Sequence, residues 1–371
     1  MVKQEARVTP WKVSGDIDYE KLVKEFGVSK LKELPKIFSE DLLFRRKIIF
    51  AHRDIQRILE AIKNKKKFVM MTGLMPTGKF HIGHMLVAQQ MVFYQKLGAK
   101  IYIAVADIEA FHTRGQSLEE SRKIALEEYI PGYIALGLNP QNCEIYFQSF
   151  RSKYAKKSNA YYRLHNILAR YASFNEFKAI YGEISPGKMI SALLQACDML
   201  HTQLPEFEGP VPVLVPVGID QDPHLRLARD IAKRIKKPNF VQLSSTYNFF
   251  IPGLGGGKMA SSEGNSYIAP TDSPKEVERK INKYAFSGGQ KTLEEHKKKG
   301  GNPDVDVSFQ YLKFLFEPND KKLEEIYRLY KQGEMSTGEL KKITINKINA
   351  FLKQYQKKKK IATKQVEKFF K

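Results

Sequence analysis

The stretch Val69 to Met85, Val-Met-Met-Thr-Gly-Leu-Met-Pro-Thr-Gly-Lys-Phe-His-Ile-Gly-His-Met, constrains the fold more than any other part of the chain. Phe68 to Met71 reads as a short buried strand. It breaks at a turn carrying Gly73, Pro76 and Gly78, then re-emerges as a helix whose first turn bears His81, Gly83 and His84. A strand, a glycine turn and a helix start bring free backbone N–H groups and the positive end of the helix dipole to one point, which makes an anion site. Two imidazoles three residues apart share a face of that turn and can donate to phosphate oxygens. Gly83 between them admits a flat ligand against the backbone. The stretch predicts a nucleotide whose phosphates sit at the start of this helix.

Three other readings compete. Gly73 to Lys79 spells G-x-x-x-x-G-K, but in the phosphate loop of NTPases a hydroxyl follows the lysine to hold Mg²⁺, and here Phe80 follows. A metal site built on His81 and His84 lacks a nearby Cys or third His. A purely structural histidine pair stays open on the local sequence. A second stretch weighs against it: Gly253 to Ser266, Gly-Leu-Gly-Gly-Gly-Lys-Met-Ala-Ser-Ser-Glu-Gly-Asn-Ser. So many small residues make a loop whose backbone can wrap phosphates, and Lys258 supplies a point charge. Together the two stretches resemble the HIGH and KMSKS motifs of class I aminoacyl-tRNA synthetases, here His81-Ile82-Gly83-His84 and Lys258-Met259-Ala260-Ser261-Ser262. The second lysine of KMSKS is missing, so the loop's charge falls to Lys258.

Composition agrees with such a partner. Lys+Arg of 62 against Asp+Glu of 40 gives a formal charge of +22, more than solubility needs, and a polyanion, most commonly nucleic acid, accounts for it. Two cysteines, Cys143 and Cys197, exclude a disulfide framework and any four-cysteine metal site. With no signal peptide and no run of about 18 apolar residues, the expectation is a cytoplasmic protein without a membrane span.

Along the chain, residues 1–66 read as a separate leader. It carries a short helix from Asp18 and a longer helical pattern from Ser39 through Phe50-Ala51-His52-Arg53-Asp54 to Ile62. From 67 to 271 strands and helices alternate: a helix over Met85–Leu97, a strand over Lys100–Ala106 ending in Asp107 and Glu109, a helix over Leu118–Leu136, and a strand over Glu144–Gln148. A helical, aromatic-rich insertion at about 150–186 follows. Then come a strand over Val211–Val217, a helix over Pro223–Ile235 and a strand near Phe240–Leu243. Alternation of this kind implies an α/β fold with a Rossmann-type parallel sheet and ligands at the carboxyl ends of its strands. Residues 272–371 read as an all-helical domain with a basic tail, Lys357 to Lys360, which alone would be a solvated end.

Ala285-Phe286-Ser287-Gly288-Gly289, Gly218-Ile219-Asp220-Gln221-Asp222-Pro223 and Asp304-Val305-Asp306-Val307-Ser308-Phe309 are similar to tryptophanyl-tRNA synthetases of the archaeal and eukaryotic type, as are further stretches over nearly the whole chain. The resemblance implies tryptophan–tRNA ligase activity, with ATP and Mg²⁺, L-tryptophan and tRNA(Trp) as partners. It also implies a helical anticodon-binding domain and a homodimer formed partly through the insertion. It would give His81, His84 and Lys258 catalytic roles, and Thr77, Gly78, Gly83, Gly218, Asp220, Met259 and Ser261 a place on ATP. Asp220 has a second reading as a helix cap before Pro223. Met71, Gly73, Glu109, Gln195, Asp198 and Gln221 would line the amino-acid pocket. The chain departs from these relatives where they carry a tyrosine and a glutamine against the indole, since Met71 and Ala104 stand there. Asp198, matching an aspartate of bacterial tryptophan enzymes and of tyrosine enzymes, is expected to accept the indole N–H. A tyrosine–tRNA ligase and a non-catalytic RNA-binding relative are the alternatives.

Overall fold

The computed structural model describes residues 18–257, 259 and 263–370, together with the backbone of a small ribbon pairing Arg7–Val8 with Val13–Ser14. Its centre is a seven-stranded sheet. Its strands are, in chain order, β1 (Ser29–Lys30), β2 (Ile49–Arg53), β3 (Val69–Leu74), β4 (Lys100–Val105), β5 (Cys143–Phe147), β6 (Val213–Gly218) and β7 (Ser244–Asn248). Their spatial order is β1-β2-β7-β6-β3-β4-β5; the last five neighbours run parallel, and β1 and β2 are antiparallel additions at one edge. The parallel strands are covered on both faces, which is why β3, β4 and β6 read as almost continuous apolar runs.

Register assigns the faces. Gly73 of β3 pairs with Ala104 of β4, which pairs with Tyr146 of β5. Met71, Gly73, Ala104 and Tyr146 therefore share one face, because side chains alternate along a strand. On that face Met71, Tyr102, Ala104 and Tyr146 pack with the helices of the insertion (Ala155–Leu168, Phe174–Tyr181) and with the helix Pro186–Leu200. Met70, Ile101, Ile103 and Ile145 face the other way. They join a core that runs through the helix Met85–Lys96 into the C-terminal helices. The fold is thus the expected Rossmann-type sheet with a helical insertion and a helical C-terminal part.

Three local expectations are corrected. The segment expected to be helical through Phe50–Asp54 is strand β2, set between the short helix Leu42–Arg45 and the helix Gln56–Lys63. Lys47 (φ 55) and Asp54 (φ 47) break the helix on either side of it. The leader is therefore built into the sheet, and Arg53 clamps the buried carboxylate of Asp222 with two 2.8 Å hydrogen bonds. The last strand lies at Ser244–Asn248, not at Phe240–Leu243. It is polar yet buried because its hydroxyls have partners: Ser244 Oγ donates to the Asp54 carbonyl at 2.7 Å and Ser245 Oγ to the Tyr247 hydroxyl at 2.8 Å. Asp107 and Glu109 are not the end of β4 but the first turn of a helix, Asp107–Arg114.

In the C-terminal part Ser273 caps a helix that starts at Pro274, as the sequence suggests. The longest described helix, Thr337–Ala362, runs back along the α/β half. Lys359 pairs with Glu128 at 2.8 Å, and Tyr355 lies against Gly132. The basic tail is accordingly not a loose end. Beyond it Phe369 is fully buried, and Phe370 stacks on Phe147 of β5 with ring centroids 5.6 Å apart.

Candidate active site

A cavity of about 860 Å³ opens at the carboxyl ends of β3, β4 and β6, where ligands collect in sheets of this kind. At one end lies the turn Pro76–Gly78. Its chain reversal needs a positive φ at Gly78 (φ 74), and its carbonyls are held by a loop and a helix from farther along the chain: Gln116 Nε2 donates to Pro76 O at 2.8 Å and the Tyr129 hydroxyl to Thr77 O at 3.3 Å. Tyr129 comes from a π-helical segment, Ala125–Tyr129, inside the helical run 118–135, which turns its ring toward the site. Neither support was expected from the sequence, since the two residues lie 40 and 52 positions downstream of the carbonyls they hold.

His81 is an extended N-cap before the turn Ile82–His84. Its Nδ1 accepts from Gly83 N at 3.2 Å, and Nδ1 of His84 accepts from His81 N at 3.1 Å. Because both Nδ1 atoms are acceptors, each neutral ring carries its proton on Nε2. Burial, then the neighbouring His84, brings the His81 imidazole down to about 2, and burial brings His84 down to about 4. Both are therefore uncharged hydrogen-bond donors at neutral pH. Phe80 stacks on His84 at 5.4 Å. Phe80 in turn needs the space left by Gly132, where a Cβ would lie 3.2 Å from Phe80 and 3.0 Å from the Tyr355 hydroxyl. Gly83 is constrained from an unexpected side: a Cβ there would meet Cε1 of His81 at 2.9 Å and Sδ of Met259 at 3.3 Å. The absent side chain makes room first for the His81 ring.

Gly218 and Gln221 also line the cavity. The Asp220 carboxylate packs against Gly218, whose Cβ would come within 2.6 Å of Oδ1, and its Oδ2 accepts from Gln221 Nε2 at 3.0 Å. It does not cap the helix Asp222–Arg234, whose N-cap position is Gln221. Lys258 and Ser261 lie outside the described residues. At the base of their loop, Leu254 N donates to Ser266 O at 2.8 Å and Leu254 O accepts from Phe286 N at 2.7 Å, which ties the loop to the C-terminal part.

The other end of the cavity is built from carboxylates paired with amides. Gln195 and Asp198 sit one turn apart on the helix Pro186–Leu200, and both reach the cavity, with Met71 and Gly73 on the sheet beside them. Gln195 Nε2 donates to Glu109 Oε2 at 2.8 Å. Burial, with the Asp198 charge adding to it, pushes the Glu109 carboxyl up to about 7. Asp198 differs from the open acceptor expected of it. Its Oδ1 takes the hydroxyls of Tyr146 and Tyr161, both at 2.7 Å, and its Oδ2 takes Nε2 of Gln148 at 2.8 Å. Behind it Arg151, fully buried, lies 4.0 Å over the Tyr146 ring and pairs with Glu144 at 2.7 Å. Tyr146, Gln148 and Tyr161 were not foreseen; the strand register, which pairs Ala104 with Tyr146, and the packing of the helix Ala155–Leu168 over the sheet bring them together around Asp198.

Comparison with known proteins fits this geometry. The family described as tRNA synthetases class I (W and Y) matches residues 63–353, and the chain belongs to that family. Within it, the chain is 44% identical to the tryptophan–tRNA ligase of Methanocaldococcus jannaschii, over 97% of this chain and 98% of that one. It is 41% identical to the tryptophan–tRNA ligase of Aeropyrum pernix, over 97% and 98%. The crystal structure of tryptophanyl-tRNA synthetase from Aeropyrum pernix superposes with a TM-score of 0.89 at 39% identity, covering 95% of this chain and 96% of that one.

Proposed function

We propose that the chain is an aminoacyl-tRNA synthetase that activates L-tryptophan with ATP and transfers it to tRNA(Trp). The observation that carries this reading is the single cavity joining a pair of neutral histidine donors to buried carboxylate–amide pairs. It stands in a chain whose relatives over nearly full length bear that activity in their names.

In the first step a carboxylate oxygen of tryptophan attacks the α-phosphorus of ATP, and the bond to pyrophosphate breaks. Catalysis is mainly positioning and neutralisation of developing charge. His81 and His84 donate from Nε2 to phosphate oxygens. Backbone groups of Thr77 and Gly78 border the triphosphate, and Lys258 is assigned the charge of its outer phosphates, with Met259 and Ser261 of the same sequence motif. Mg²⁺ enters with the nucleotide. Gly218 and Asp220 hold the ribose side with Gln221. Glu109 and Gln195 take the ammonium of the amino acid, Met71 and Gly73 floor the pocket, and Asp198 with its partners closes the indole end. In the second step a terminal ribose oxygen of the tRNA attacks the acyl carbon and AMP leaves.

The proposed division is an extension over 1–66 whose strands complete the sheet, a catalytic domain over 67–271 and an anticodon-binding helical domain over 272–371. A homodimer is supported by Ile167, Phe174 and Ile190, apolar side chains left exposed on and beside the insertion. Among the described residues no helix is long and apolar enough to cross a membrane, and the proposed place of work is the cytoplasm, with the tRNA. Pyrophosphate exchange driven by one amino acid at a time tests the reading. Exchange with tryptophan alone is expected; exchange driven by tyrosine, or by none, would overturn it.

A further inference from the structure

We propose that Gln148 is the residue that selects the indole, its side-chain carbonyl oxygen Oε1 accepting the indole N–H, with Asp198 as the positioning residue that fixes the amide. The proposal rests on the tryptophan reading above.

The sheet face beneath the amino-acid end is the one shared by Met71, Gly73, Ala104 and Tyr146. Met71 and Ala104 bring no polar atom to it. Gln148 continues that face two residues beyond Tyr146, where the chain is still held to β4 by Gln148 N donating to Val105 O at 3.0 Å. The Gln148 side chain is 1% exposed and lines the cavity. Its amide can point only one way. Nε2 donates to the Asp198 carboxylate, which has nothing but acceptors, at 2.8 Å. Oε1 receives the backbone N–H of Glu109, which is only a donor, at 3.3 Å. Both neighbours demand the same orientation.

Two features favour Oε1 over Asp198 as the acceptor. Asp198 Oδ1 is filled by the two tyrosine hydroxyls at 2.7 Å, and its Oδ2 is held by the short 2.8 Å bond from the Gln148 amide itself. Oε1 takes a single long one, which leaves a lone pair for the ligand. A phenol meets the same network less completely: its O–H can donate to Oε1, but its oxygen lacks a partner. The Tyr146 and Tyr161 hydroxyls both donate to Asp198, so neither offers a proton to a phenolic oxygen. A benzyl side chain would leave Oε1 with only the long bond from Glu109 N.

The test uses tryptophan and its analogue with sulfur in place of the N–H, benzothienylalanine, as alternative substrates in pyrophosphate exchange. An acceptor left facing a group that cannot donate costs about 10- to 100-fold in kcat/KM. The wild type should prefer tryptophan by that factor. In Gln148→Met, of similar length and without the acceptor, the preference should collapse to within about threefold, with the KM for ATP unchanged. Asp198→Ala, which frees the amide to turn, should lower the preference without abolishing it. Should Gln148→Met not fold, Gln148→Asn, which withdraws the oxygen but keeps the amide, carries the same expectation. A full preference retained at position 148, or one abolished by Asp198→Ala alone, would overturn the assignment. A wild type that exchanges with no tryptophan at all would overturn the functional reading instead.

Discussion

The two ends of the cavity are made in opposite ways. The proposed phosphate-binding part comes from one short stretch, Pro76 to His84, in which neighbouring residues hold each other: His81 N bonds to His84, and Gly83 N to His81. Its histidines are uncharged, and burial keeps them so. The amino-acid end comes from four separated segments, around Met71, Glu109, Gln148 and Gln195–Asp198. Its two carboxylates are buried at some cost and held by amides and tyrosine hydroxyls. A local end can be recognised by its spelling and keeps its chemistry through small changes elsewhere. An end assembled by the sheet depends on register, and its specificity can move from one strand to the next while the fold stays the same.

Substitutions should separate the ends. Lys258→Ala should slow adenylate formation by about 10²- to 10³-fold, the loss seen for one preorganised contact to the transition state, with little change in the KM for tryptophan. Pre-steady-state rates within tenfold of wild type would remove Lys258 from the nucleotide end. Gly83→Ala, which drives a methyl into the His81 ring, should cost about 10²-fold in the same step by misplacing the donor. Thermal unfolding would distinguish this from a loss of fold, and the melting temperature should shift little.

The amino-acid end should instead respond to pH. Glu109 titrates at about 7 in the free protein because its charged form is poorly solvated, and a cationic ammonium pairs with the anion only. As pH falls below about 7 the carboxyl becomes neutral, and each bound ammonium must first displace a proton. The kcat/KM for tryptophan should therefore drop about tenfold per pH unit below that point and be flat above it, while the KM for ATP is unmoved. In Glu109→Gln the slope should vanish. A wild-type profile flat between roughly pH 5.5 and 8.5 would show that Glu109 does not meet the ammonium.

The smallest effect should touch neither end. Lys357, Lys358 and Lys360 are exposed on the long C-terminal helix, whereas Lys359 is committed to Glu128. Changing the first three to Gln should leave both substrates' KM values alone and reduce the salt slope of tRNA binding by up to about two to three units. An unchanged slope would mean that these lysines do not contact phosphate.

Most of the fold was legible because parallel strands buried on both faces spell apolar runs, as Val69–Leu74 and Lys100–Val105 do. The exceptions were strands without that spelling. Ser244–Asn248 is buried on the strength of hydroxyl partners far away in sequence, and Ile49–Arg53 lies in a segment whose helical spacing is cut by positive φ at Lys47 and Asp54. The same division holds in the site. His81, Gly83 and His84 could be read directly. Gln195 and Asp198 could be read as one face of a helix. Tyr146, Gln148 and Tyr161 carry no local signal, because what makes them functional is the register of β4 against β5 and the packing of the insertion over it.

Gly132 limits how this chain can drift. It is the spacer between Phe80, which supports His84, and Tyr355 on the C-terminal helix. Volume can be traded among these three positions but not added to any one of them. A larger residue at 132 would need a smaller one at 355, or the first motif would shift. Descendants of this sequence should therefore change the α/β half and the C-terminal helical half in step at this point, although 223 residues of chain separate Gly132 from Tyr355.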